Sequence, residues 1–150
     1  MTGAPACRVI RTSATYQGKQ GLSYGVGISA ESAGSRALCL HLVTIPPGGR
    51  AKAHLHERHE TAIYVLTGSA EVWCGDGLQE CLTIRAGDFL YIPAGAPHLP
   101  TNPSPTEPSM KYPSRSGPRW ASDALRLPKT PRGTGSPVKF QIPKMPLMAE

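Results

Sequence analysis

At 150 residues the chain has the length of one ordinary domain, enough to bury a core without metal or disulfide staples. No run approaches the roughly 20 apolar residues that a membrane helix needs, and the opening MTGAPACRVI lacks the charged start and long apolar stretch of a signal peptide, so a cytoplasmic protein is expected. The net charge of +6 suggests a nucleic-acid partner until it is divided: residues 1–108 carry eight basic and eight acidic side chains, and the whole excess falls in the last 42 residues, which leaves the folded part with no electrostatic reason to bind nucleic acid.

From Gly21 to about Pro93 the pattern is all-β, with short runs rich in Val, Ile, Leu, Tyr and Phe between turn-forming residues. In chain order the expected strands cover 22–29, 37–45, 61–68, 70–74, 78–84 and 88–93. Between them ESAGS, PPGG, GDG and RAGD supply residues that fix turns or tolerate positive φ. Six or more short strands with tight turns indicate a sandwich or barrel. Cys7, Cys39, Cys74 and Cys81 show no zinc-type spacing and read as reduced thiols, with a Cys74–Cys81 bridge across the Gly75–Gly77 turn as the alternative.

Beyond Pro108 seven prolines, including Pro113, interrupt every segment and the charge becomes one-sided. The domain is therefore expected to span 1–108, with 109–150 a proline-rich basic tail that is largely irregular or disordered and has SDALRL, 122–127, as its only helical turn or two. The abrupt step in composition resembles a frame-shifted or replaced terminus. A contact between this tail and an anionic polymer is the weakest functional reading.

The stretch KAHLHERHETAIYVLTG places His54, His56, Glu57, His59 and Glu60 at the mouth of a strand. In extended chain His54 and His56 point to one side, a two-imidazole clamp, and Glu60 shares their parity. A second cluster, Gly87, Pro93, Gly95, His98 and Asn102, has the form G(x)5PxG(x)2H(x)3N. This resembles the second motif of the cupin superfamily without a departure. Gly48, His54, His56, Glu60 and Gly68 resemble the first, G(x)5HxH(x)3,4E(x)6G, except that seven residues rather than six separate Glu60 from Gly68. The resemblance covers 37–102 and is nearest in wording to small RmlC-like and mannose-6-phosphate-isomerase-like cupins.

That resemblance implies an all-β double-stranded β-helix, or jelly-roll barrel, with a divalent metal held by His54, His56, Glu60 and His98, and pairing into a homodimer. Three neutral imidazoles and a carboxylate suit Mn, Fe, Co, Ni, Cu or Zn rather than Mg or Ca. Open coordination positions would then admit a small polar molecule, a sugar or a chelating oxygenated substrate, for isomerase-like or dioxygenase-like chemistry. The alternative is a non-enzymatic module that binds or senses such a ligand in the same cavity. Tyr64 and His59 are the candidate acid–base residues, with barrel packing and a solvated loop as their plainer readings. His41 is expected to be a satisfied or surface histidine, and Asn102 and the motif glycines turn devices. Arg50 and Lys52, beside the clamp, are expected to be solvated rather than to receive an anionic substrate. No serine elbow, phosphate loop or dinucleotide fingerprint is present.

Overall fold

Alternation of side chains builds the molecule. In the strand Leu38–Ile45, Cys39, His41, Val43 and Ile45 are buried while the residues between them are half-buried or exposed, the signature of a sheet with one covered face. The computed structural model describes residues 6–12 and 14–116. Their strands are β1 (Thr15–Gln17), β2 (Ser23–Ile28), β3 (Leu38–Ile45), β4 (Thr61–Thr67), β5 (Ser69–Cys74), β6 (Glu80–Arg85), β7 (Phe89–Ile92), β8 (His98–Thr101) and β9 (Ser109–Ser116).

They form two antiparallel sheets, one ordered β1-β2-β3-β9-β4-β7 and the other β6-β5-β8. Two apolar clusters form the core: Leu22, Tyr24, Val43, Ile45 and Ala51 in one, Val65, Ala70, Val72 and Ile84 in the other. Each large aliphatic buried this way contributes about 1.5–3 kcal/mol, so these few positions dominate the stability of the barrel.

The six expected strands are all present. Three more, β1, β8 and β9, were not expected, nor was α1 (Ala30–Ala33), a single turn capped by reciprocal hydrogen bonds between Ser29 and Ser32. The largest difference is β9. Residues 109–116, expected to begin an irregular tail, form a strand in the middle of the larger sheet, paired to β3 on one side and β4 on the other. Pro113 sits opposite Ile63. A proline removes one donor from a central strand, but two flanking strands satisfy enough of the remaining backbone to hold it. The rest of the expected tail, including SDALRL, lies outside the described residues.

Two devices fix the entry to β9. Gly68, with φ at 70°, turns β4 into β5 where an added Cβ would come within 2.6 Å of the Pro108 carbonyl oxygen, so the tight approach requires glycine. Asn102 is buried, and its amide donates to the carbonyls of Ile45 (3.1 Å), Pro46 (3.2 Å) and Glu107 (2.7 Å) while its oxygen accepts from the Ser104 N–H at 3.0 Å. It ties the loop before β9 to the end of β3. All four cysteines are free thiols: Cys81 lies opposite Trp73 and Cys74 opposite Glu80, so the one-residue stagger sets the two thiols on opposite faces of the hairpin. No helix among the described residues is long and apolar enough to cross a membrane.

Candidate metal centre

The centre begins with a turn. After β3, Pro46–Gly49 reverses the chain, with the Gly49 N–H donating to the Pro46 carbonyl at 2.9 Å. The returning segment then runs beside β8. The Ala51 N–H donates to the Pro100 carbonyl at 2.9 Å, and His54 and His98 exchange both backbone hydrogen bonds, at 3.0 and 2.9 Å. Residues far apart in sequence are thereby set directly opposite each other.

Their rings meet inside the barrel. Ring centroids lie 4.2 Å apart for His54 and His98, 5.0 Å for His54 and His56, and 5.1 Å for His56 and His98. One nitrogen from each of the three buried rings falls within 4.8 Å of the others, a spacing that can grip a single ion. Orientation is fixed from behind. The Nδ1–H of His54 donates to the Lys52 carbonyl at 2.7 Å and that of His98 to the Ala96 carbonyl at 3.0 Å, which leaves each Nε2 lone pair for a ligand. Three imidazoles are borderline donors suited to first-row transition metals, and the residues present fit such an ion.

Glu60 is not brought to this cluster. It is exposed and accepts a 2.7 Å hydrogen bond from the Tyr91 hydroxyl on β7, a bond that holds the Tyr91 phenol above its ordinary pKa. The cause is strand parity. Thr61, Ile63 and Val65 are the buried face of β4, so Glu60 and Tyr64 point the other way. With six residues intervening before Gly68, the motif position falls on Thr61, which occupies the inward place that the motif reserves for the carboxylate. Thr61 lines the cavity beside the histidines, and its buried hydroxyl has no hydrogen-bond partner among the described residues. Tyr64 packs on the outer surface against Phe89, with ring centroids 4.7 Å apart, and His59 is half-buried but absent from the cavity wall. His41 is buried and satisfied: its Nδ1 accepts from the Gly27 N–H at 3.2 Å and its Nε2 lies 3.1 Å from Cys39 Sγ. Arg50 and Lys52 are exposed.

Lys111, on β9, is the cavity residue with no counterpart in the expected set. It is 2% exposed, lines the same cavity as the three histidines, and its Nζ has no hydrogen-bond partner among the described residues. Burial pushes its ammonium down to about 8. No aspartate or glutamate is among the described residues that line the cavity. The remaining wall is mostly aliphatic, and the Tyr24 hydroxyl within it donates to Gln20 at 2.9 Å. A count back from Gly68 would have marked Thr61. Nothing in the composition of the tail marked Lys111.

A family model described as Cupin domain matches residues 41–110. Among solved structures, a predicted oxalate decarboxylase from Thermotoga maritima is 19% identical with a TM-score of 0.62, over 73% of this chain and 99% of that one. The polyketide cyclase RemF from Streptomyces resistomycificus is 24% identical with a TM-score of 0.62, over 75% and 80%. A protein provisionally assigned as a sugar phosphate isomerase from Acidithiobacillus ferrooxidans is 28% identical with a TM-score of 0.52, over 63% of this chain, which spans only 59% of that one. No curated protein matches the sequence.

Proposed function

We propose that this chain, whose residues 41–110 match the cupin family model, is a cupin that holds one divalent transition metal between His54, His56 and His98 and acts on a small oxygenated molecule in the barrel cavity. The observation that carries the reading is the convergence of three buried imidazoles in a cavity walled by aliphatic side chains. When bound, the metal would supply Lewis-acid polarisation of a coordinated oxygen and, if redox-active, electron transfer.

The chain's own residues do the rest. Backbone carbonyls hold the His54 and His98 rings in one tautomer, so the site is preorganised, and Leu22, Val43, Ile63, Val72 and Ile92 keep bulk water away from the reacting molecule. Isomerisation through an enediolate needs a base near the substrate carbon. Glu60, Tyr64 and His59 are not in the wall, Tyr24 is engaged by Gln20, and Lys111 is chiefly protonated at neutral pH. Oxygenase-like chemistry on a chelating substrate is therefore favoured over isomerase-like chemistry. A binding or sensing role uses the same cavity and is distinguished by the absence of turnover of a bound ligand. The surface best suited to a homodimer is the free edge of β7, where Phe89 and Tyr91 are 80% and 61% exposed.

Elemental analysis of protein purified without added metal tests the assignment. One first-row divalent ion per chain, absent from His98→Ala, is expected. Equal metal content in the two proteins would overturn it.

A further inference from the structure

We propose that Lys111 is the anion-binding residue of the barrel cavity and that the molecule taken there carries a carboxylate. The inference rests on the functional reading above only in assigning this cavity to the ligand.

Register explains how the side chain arrives. Lys111 lies opposite Val43 on β3 and Val65 on β4, both buried, so its aliphatic stem runs among apolar neighbours and its ammonium enters the space that the histidines line. There, among the described residues, it has neither a hydrogen-bond partner nor any acidic side chain in the wall for a counter-charge. A buried ammonium left in that state is among the costlier arrangements a core can contain. Charge complementarity is missing among the described residues, and a bound anion from outside would complete it.

The donor set narrows its chemistry. Besides Lys111 and the three histidines, the cavity offers the Thr61 hydroxyl, which has no hydrogen-bond partner among the described residues, the Tyr24 hydroxyl, already donated to Gln20, and apolar walls. One ammonium and one hydroxyl match the two oxygens of a carboxylate. A phosphate, with more oxygens and more charge, is ordinarily met by several backbone N–H groups or a guanidinium fork, and no arginine is among the described residues of the wall. A divalent ion among three neutral imidazoles would add like charge to the same enclosure. A carboxylate there offsets both cations, so anion and metal binding are expected to reinforce each other.

Calorimetric titration with glycolate, ethylene glycol and inorganic phosphate tests this, on the zinc-loaded full chain and on His98→Ala. Wild-type protein is expected to bind glycolate and to show no measurable heat with ethylene glycol. Lys111→Met should bind glycolate at least 10-fold more weakly with its zinc content unchanged. The same comparison is available in Lys111→Gln if the methionine variant fails to fold. Unchanged glycolate affinity in both Lys111 variants, or tighter binding of phosphate than of glycolate by wild type, overturns the proposal. Lys111-dependent glycolate binding by a wild-type protein that takes up no zinc would sustain it while removing the metal reading.

Discussion

Residues 87–102 and 54–68 both bring polar side chains to the barrel wall, yet the first delivers His98 to the cavity while the second delivers His54 and His56 and turns Glu60 to the outside. The spacing of the first matches its motif at every position. The second has one residue more between Glu60 and Gly68, and in a strand one residue is a change of face. The outcome is a cavity with three neutral donors, a threonine and a lysine, where a carboxylate would have lowered its positive charge. Ligand identity is set by residue type, but ligand delivery is set by parity counted from the nearest fixed turn.

The contrast can be broken most severely at His98. His98→Ala removes one of three imidazoles and is expected to weaken metal binding by more than about 100-fold, beyond the loss typical of outer hydrogen-bond partners. Competitive titration with a chromophoric chelator measures it. Thr61→Glu sharpens the comparison from the other direction. A carboxylate at the inward position should raise zinc affinity roughly 10-fold or more by the same titration, since it adds a charged oxygen donor facing the histidines. No gain would mean that Thr61 does not face the ion.

Lys111 carries the next effect. Folding lowers its pKa from 10.5 to about 8, so between those values the unfolded chain binds more protons than the folded one, and stability rises with pH across that window. Below about pH 8 both states are protonated and the whole burial cost is present. Lys111→Met should therefore stabilise the metal-free protein at pH 7 by on the order of a few kcal/mol and abolish the rise between pH 8 and 10.5, as read by urea unfolding. Asn102→Ala leaves the Ile45, Pro46 and Glu107 carbonyls without their shared donor and should cost about 1–3 kcal/mol in the same assay, through the loop that leads into β9.

Much of the fold was legible because alternation is a property of residue type. The inward Cys39, His41, Val43 and Ile45 announce β3 whatever lies around them. The strands that escaped are those whose stability comes from neighbours. His98–Thr101 is four residues with a proline, held by pairing to β5 and to the segment before His56. Ser109–Ser116 has low apolar content and contains Pro113, yet it is clasped on both edges. The histidine pair was visible as extended-chain parity, and His98 through its motif. Lys111 was not, because by composition it belongs to a basic tail, and only the register between β3 and β4 turns it from a solvated charge into a buried one.

X-ray absorption at the metal edge, on zinc-loaded wild type and Glu60→Gln, probes the coordination most directly. Three imidazole scatterers and superimposable spectra from the two proteins are expected, because Glu60 faces Tyr91 rather than the cavity. A carboxylate contribution present in wild type and missing from Glu60→Gln, or fewer than three imidazoles in both, would contradict this coordination.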